Sequence, residues 1–344
     1  MRWLRFFGII LLFVVLVNPI TAQEGQDAAN FRVGFYNVEN LFDIENDPLK
    51  EDDDFTPAGK QAWSAERYAT KLDHVAEVMV GLDFPSVMGL AEIENEVVLA
   101  ALVQQQRLQG HHYGIVHFES PDTRGIDVAL LYDKVRFTVL AAHAVLVKFP
   151  TWLEPEGYTS RDILYARLQA PDGAVFHFFV NHWPSRRGGA EASEHRRLWA
   201  ASHLRRAVDE VLLTDPLAKV IIMGDFNDEP NNRSLANALG TLNPAKAAHL
   251  PGLLYNPGLE IDTQKEGSYN YRNEWNMLDQ VIYAGLEAPN HWRPGGFAIF
   301  KPAWLSYTSD RGPTPNRTYG GTKYYGGYSD HFPVYFDVVR IGSE

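Results

Sequence analysis

The chain has 344 residues, 45% hydrophobic and 12% aromatic, which is ample for a packed core and too apolar for a disordered chain. It contains no cysteine, so disulfides, thiolate metal ligands and a cysteine nucleophile are all excluded. A formal net charge of −12 disfavours broad, non-specific adhesion to nucleic acid but leaves room for a local basic groove.

The first residues place Arg2 and Arg5 before an apolar stretch from Phe6 to Val17, followed by Pro19 and a small-residue site ending at Ala22. This pattern predicts a cleaved signal peptide over 1–22 and an exported protein. The apolar stretch is shorter than the roughly 20 residues a membrane span needs, so a retained anchor is the second reading and stable membrane association is not expected. Removing residues 1–22 takes away two arginines and no acids, leaving 29 basic against 43 acidic side chains, a balance of −14.

Beyond this segment, FRVGFYNVENLF (31–42) and FPSVMGLAEI (84–93) read as strands flanking a helical pattern, SAERYATKLDHVAEVMVGL (64–82). GIDVALLYD, VRFTVLAAHAV, ILYARLQA and AVFHFFVNHW follow as strands joined by turns, then a long helix from Ala190 to about Leu213. KVIIMGDF, MLDQVIYA and HFPVYFDVV supply later strands. Strands in runs with few long helices predict packed sheets with helices outside. No Pro/Ser-rich linker divides residues 23–344, which predicts a single domain. The acidic IENDPLKEDDDFTP and the Gly/Tyr-rich RTYGGTKYYGGYSD read as surface loops.

Polar residues recur where these apolar strands end: Asn37, Glu92, His182, Asp225 with Asn227, Asp279, and Asp330 with His331. Each has an ordinary explanation: Asn37 as a turn cap, Glu92 as surface charge, His182 as a core histidine, Asp225 and Asn227 as turn formers before Pro230, Asp279 as a structural partner. Their repeated placement at sheet termini favours a shared site, because strand ends are where rigid scaffolds present chemistry. Asn, Glu and Asp oxygens suit Mg²⁺ or Mn²⁺, with Ca²⁺ as an alternative; zinc fits less well. A histidine beside a carboxylate can serve as base or electrophile, and an uncharged amide can hold an attacking water. Brought together, these groups describe metal-assisted hydrolysis of a phosphate ester.

In order, YNVENLF, AEIEN, GIDVALLY, VNHWPSR, GDFNDEP, LDQVIY and GYSDHFPV resemble the motif series of the endonuclease/exonuclease/phosphatase superfamily, and in particular its bacterial secreted-nuclease-like members. The resemblance spans about Phe31 to Val339. It implies an α/β fold, a four-layered α/β/β/α sandwich with two face-to-face mixed sheets and the active site at one end of the sheets. It further implies Glu92 as the principal metal carboxylate, Asn37 and Asp330 as its companions and Glu39 as a weaker candidate. Asp225 and Asn227 match the pair that handles the attacking water, His331 the histidine at the scissile phosphate, and Asp279 the acid that orients it. His182 matches a second histidine found in the pancreatic-type deoxyribonucleases, with no orienting acid identified. Arg124, Arg186 and Arg187 have the fork geometry for phosphate, the alternative for the paired arginines being a solvated loop. The substrate expected is nucleic acid, DNA or RNA; a phospholipid, inositol phosphate or other small phosphoester is the competing substrate class, and a non-catalytic binding module the competing function. No protein partner is implied.

Overall fold

A computed structural model describes residues 30–286, 291–310 and 312–341; the expected signal segment lies outside them. In chain order the strands are β1 (Phe31–Leu41), β2 (Val87–Ile93), β3 (Tyr113–His117), β4 (Asp127–Asp133), β5 (Thr138–Val145), β6 (Ile163–Gln169), β7 (Val175–His182), β8 (Lys219–Asp225), β9 (Thr241–Leu242) and β10 (Leu254–Tyr255). They continue as β11 (Tyr269–Tyr271), β12 (Glu274–Asn276), β13 (Asp279–Ala284), β14 (Trp292–Ile299), β15 (Ser306–Ser309), β16 (Gly312–Pro315), β17 (Tyr319–Gly320), β18 (Lys323–Tyr324) and β19 (Val334–Arg340). Three α-helices are described: α1 (Ala65–Gly81), α2 (Glu96–Val103) and α3 (Glu194–Thr214).

Thirteen of the strands form two mixed sheets. One has the order β14-β19-β1-β2-β4-β3, with β1 and β2 parallel; the other has the order β5-β6-β7-β8-β13-β10-β9, with β7 and β8 parallel. Val33, Phe35, Val87 and Leu130 of the first sheet share a buried cluster with Phe176, Phe178, Ile221, Met223 and Val281 of the second, so the two sheets pack face to face. Their outer faces are covered by helices. Leu72, Val75, Ala76 and Met79 of α1 and Leu99 and Leu102 of α2 pack on the first sheet, while Ala200, Leu204 and Val208 of α3 pack on the second. This is the four-layered sandwich that the sequence implies.

Helix starts follow local capping chemistry. Ser64 Oγ accepts from Arg67 N–H at 3.3 Å to open α1, and Asn95 Oδ1 accepts from Val98 N–H at 3.0 Å to open α2, each satisfying an amide the first turn leaves free. Expected to begin near Ala190, α3 starts at Glu194, after Gly188 and Gly189 at positive φ. Four strands of the two sheets escaped the sequence reading. Three are short: β3, β9 and β10. The fourth is β14, whose WRPGGFAI segment carries Pro294, Gly295 and Gly296. It is an edge strand whose register slips between Pro294 and Gly296, which is where proline and glycine are tolerated.

The Gly/Tyr-rich segment is more than a surface loop. It forms the small β17/β18 hairpin, and its Thr318 and Tyr319 are 1% and 5% exposed. Tyr319 packs with Phe42 and Trp63, so this stretch is a strap pinned to the end of the first sheet.

Candidate active site

Three neighbouring strands of the second sheet end together. His182 pairs with Asp225 in the β7/β8 register, and Asp225 pairs with Asp279 in the β8/β13 register. Ladder hydrogen bonds therefore place these three side chains side by side. The chain then turns away at Asn227, a non-glycine residue at φ 51°, whose N–H donates to Asp225 Oδ1 at 2.9 Å. The turn is anchored from outside: Arg197 of α3 sets its Nε 2.7 Å from Asp228 Oδ1. Thus the GDFNDEP segment ends a strand and fixes the direction of a carboxylate at once.

The first sheet supplies the opposite side of the same site. Glu92 sits at φ 64° where the β2 register slips against both neighbours, and Glu39 and Asn40 lie at φ 52° and 62°. Such left-handed backbone is costly for these residues and persists only when the surroundings enforce it. Here Asn40 N–H donates to Glu92 Oε2 at 3.0 Å. Expected among the metal ligands, Asn37 points its amide nitrogen between two acids, 3.4 Å from Glu92 Oε1 and 3.1 Å from Asp225 Oδ2. Its amide oxygen accepts Glu39 N–H at 3.0 Å. It thus sits between the carboxylates of the two sheets.

His331 follows β18 and precedes β19. Its Nδ1 is 2.6 Å from Asp279 Oδ2, leaving Nε2 to face Asp225 Oδ2 at 3.9 Å and Asp330 Oδ1 at 4.0 Å. Ser329 fixes the approach: its hydroxyl donates to Asn37 C=O at 2.7 Å and accepts His331 N–H at 3.1 Å. Burial disfavours the imidazolium, but the charges of Asp279 and Asp225 outweigh it and hold His331 well above the usual histidine range. His182 goes the other way. Burial, reinforced by Arg161, Arg124 and His331, pushes it well below that range. Its Nε2 lies 3.7 Å from Asp225 Oδ2 and 3.9 Å from Glu92 Oε1, while its buried Nδ1 has no partner among the described residues. The pair therefore divides into one charged and one neutral imidazole, and no acid among the described residues orients His182 through Nδ1.

Between the histidines, Asp225 is raised to about 6, chiefly by burial, with His331 pulling it down and Asp279 pushing it up. Glu39 is raised to about 7 by burial and then by Asp330; Lys71, the Thr318 N–H and Arg317 partly offset this. Glu92 is raised as well, first by burial and then by Asp330. Carboxylates confronting one another at the floor of an open cleft are the arrangement a divalent cation relieves, and a set of oxygen donors suits a hard ion. Glu92 and Asp330 fit such an ion. Asp225, Asp279 and His331 also bring one ligand atom each within 4.8 Å of one another, although the His331–Asp279 contact already occupies two of those atoms.

A cleft of about 900 Å³ opens over these groups, with Glu39, Glu92, His182, Asp225, Asn227, Asp330 and His331 on its floor and sides. Arg124, Arg186 and Arg187 line it, as does Arg317, which the sequence reading did not single out. They are not equivalent. Arg186 donates to Asn227 C=O at 2.7 Å and to Asn276 Oδ1 at 2.8 Å, so it clamps the loop that carries Asn227. Arg187 is exposed at the rim. Arg124 is half-exposed beside Asp122, and Arg317 donates to Asp330 Oδ2 at 3.0 Å. Tyr269, Tyr271, Tyr319 and Phe55 complete the wall, and the Tyr269 ring lies 4.7 Å from that of His331.

Two supporting residues lie outside the motifs read from the sequence. Arg161 is buried and donates to His182 C=O at 3.1 Å, Trp183 C=O at 2.6 Å and Asp122 Oδ2 at 3.1 Å. It joins the end of β7 to the loop that bears Arg124. Lys71 projects from α1 into the interior and donates to Thr318 Oγ1 and Tyr328 C=O, both at 2.6 Å; burial lowers it to about 8. Glu39 accepts Thr318 N–H, so Lys71 and Glu39 together fasten the strap.

A family model described as Endonuclease/Exonuclease/phosphatase family matches residues 32–340. Among solved structures, the mannosyl-6-phosphatase of Bacteroides thetaiotaomicron is similar at 19% identity, covering 90% of this chain and 99% of that one with a TM-score of 0.55. The human Nocturnin catalytic domain is similar at 16% identity, 91% and 94% coverage and a TM-score of 0.55. TDP2 of D. rerio, solved with a single-strand DNA product, is similar at 16% identity, 90% and 98% coverage and a TM-score of 0.55. At these identities the likeness is one of fold. No curated protein matches the sequence closely enough to serve as a relative. Residues 32–340 thus carry the family's motif series on the family's sandwich, and the chain belongs to the endonuclease/exonuclease/phosphatase family of divalent-metal-dependent phosphoester hydrolases.

Proposed function

We propose that this protein is an exported phosphodiesterase, dependent on Mg²⁺ or Mn²⁺, that hydrolyses DNA or RNA. The observation that carries the nucleic-acid reading is the wall of the cleft: four arginines and four aromatic rings surround one set of reacting groups. Guanidinium groups at a rim suit phosphates flanking the scissile one, and exposed rings such as Tyr271 suit unstacked bases. A small phosphoester has nothing to place on most of that surface.

When bound at Glu92 and Asp330, the metal supplies electrostatic stabilisation of charge building on the phosphoryl oxygens. His331, charged and held by Asp279, donates through Nε2 to a phosphoryl oxygen. Asp225, ionised above about pH 6 and held by the amides of Asn227 and Asn37, takes the proton of the attacking water. His182 is neutral beside Asp225 and is placed to hydrogen-bond the substrate phosphate without adding charge. Asn227 spends its side-chain N–H on Trp183 C=O at 3.1 Å, leaving its amide oxygen for the water.

A panel of plasmid DNA, RNA, sphingomyelin and a chromogenic phosphodiester, assayed with Mg²⁺ and with Mn²⁺, tests this reading. Efficient cleavage of a nucleic acid is expected. Turnover of sphingomyelin or a small phosphoester with no cleavage of either polymer would overturn the substrate assignment. Export is inferred from residues 1–22: N-terminal sequencing of protein from its native host should find a start near Gln23, and an uncleaved chain in the membrane fraction would favour an anchor.

A further inference from the structure

Outside the cleft, the β3–β4 connection gathers a second set of donors. His117 closes β3, Asp127 opens β4 and Glu119 lies between them, and one ligand atom from each falls within 4.8 Å of the other two. His117 Nε2 is 3.2 Å from Asp127 Oδ2, with those side chains 4% and 1% exposed, whereas Glu119 is exposed. Ser120 N–H donates to Asp127 Oδ1 at 2.9 Å, which fixes the orientation of that carboxylate.

Lys50 faces Glu119, and its Nζ is tethered to the Ser120 and Asp122 carbonyls at 3.0 and 3.2 Å. On the adjoining side, Asp43, Asp52 and Glu119 all face Glu94. Asp52 is 2% exposed, and its Oδ1 is buried with no partner among the described residues. Two carboxylates and an imidazole converging beside further buried acids form a pocket of negative potential that a cation would neutralise.

We propose that His117, Glu119 and Asp127 bind one divalent transition-metal ion, with Zn²⁺ the best match. An imidazole nitrogen with two carboxylate oxygens is a borderline donor set that suits Zn²⁺, whereas Mg²⁺ favours oxygen donors alone. The exposed side at Glu119 leaves the remaining coordination to water. The ion fastens residues 118–126, the loop whose Asp122 accepts from both Arg161 and Arg124. This site is chemically distinct from Glu92 and Asp330 in the cleft, so its existence does not depend on the reaction proposed there.

Metal-stripped, untagged mature chain is dialysed against Zn²⁺ in the presence of millimolar Mg²⁺, and bound zinc is counted. One Zn²⁺ per chain is expected, undiminished in Glu92→Gln. Outer contacts to metal ligands cost about 10–100-fold in affinity when removed, and loss of a ligand should cost at least as much. Glu119→Gln should therefore weaken binding at least tenfold and His117→Gln about a hundredfold. Glu119 is exposed, so its variant decides the matter even if His117→Gln fails to fold. Absence of bound Zn²⁺, equal binding by wild type and Glu119→Gln, or loss of the ion in Glu92→Gln would each overturn the proposal.

Discussion

On one side of the cleft, His182 and Asp225 end two strands and Asp279 opens the next, all in register. On the other, Arg317, Thr318 and Tyr319 arrive on a strap held by Glu39, Lys71 and Asp330. The strand-end residues are positioned by backbone ladders, so replacing one removes its chemistry and leaves its neighbours in place. The strap is positioned by a few side-chain bonds, so replacing one moves the others. The first kind of change should act on kcat. The second should act mainly on KM and on the salt dependence of binding.

The largest effect expected is from metal removal. Exhaustive chelation should reduce hydrolysis to background, with Mg²⁺ or Mn²⁺ alone restoring it; full activity in chelator would reject a cation at Glu92 and Asp330. Next come His331→Ala and Asp225→Ala, each lowering kcat by roughly 10² to 10⁴ if proton transfer and electrostatic stabilisation are lost. A folded variant with ordinary turnover removes that residue from the mechanism. On the strap side, Arg317→Ala should raise KM about tenfold, the scale of one charge-assisted hydrogen bond, with a smaller change in kcat. A fall in kcat alone would place Arg317 at the reacting phosphate.

Smaller still is the effect of Arg187→Ala. It should flatten log K against log salt by roughly 0.9 for a duplex phosphate contact and leave a chromogenic phosphodiester unaffected. An unchanged slope would leave Arg187 as a solvated rim residue. Arg186→Ala should act differently, because its bonds to Asn227 and Asn276 make it part of the turn proposed to hold the attacking water; it should depress turnover of both substrates.

The buried acids also make a prediction for the metal-free protein. Asp225 and Glu39 have folded-state values of about 6 and about 7, above their ordinary 3.8 and 4.5. The folded state therefore holds these protons more tightly than the unfolded chain. Their stabilising contribution is present at low pH, is lost as pH rises from about 4 to about 7, and is flat above that. Thermal melts of chelated protein should show this decline, and Asp225→Asn should flatten the part near pH 6. A melting temperature that rises across this window in chelator would contradict the assignment of both groups.

The ladder side was legible in the sequence because an apolar run that stops at a polar residue marks a strand end, as in KVIIMGDF and FHFFVNH. Such runs also identified most strands of both sheets. The strap was not legible. Nothing local shows that Arg317 reaches Asp330 or that Thr318 is buried, since both depend on where a Gly-rich segment closes in space. Arg161 was missed for the same reason: its partners are 21, 22 and 39 residues away. Lys71 left a trace, because it shares the buried face of α1 with Leu72, Val75 and Met79, where a lysine needs an interior partner. Asn37 shows the limit of motif matching, which placed it in the site without showing which end of its amide faces the acids.

If His331 and Asp279 act as one catalytic unit in phosphodiester hydrolysis, as proposed, a double-mutant cycle will reveal it. Single-turnover rates on a defined DNA or RNA substrate, at saturating Mg²⁺, would be compared for wild type, Asp279→Asn, His331→Ala and the double variant. Because Asp279 holds His331 through the Nδ1 contact of 2.6 Å, the double variant is expected to be no slower than His331→Ala alone. Multiplicative losses in the double variant, or ordinary rates in His331→Ala, would contradict it.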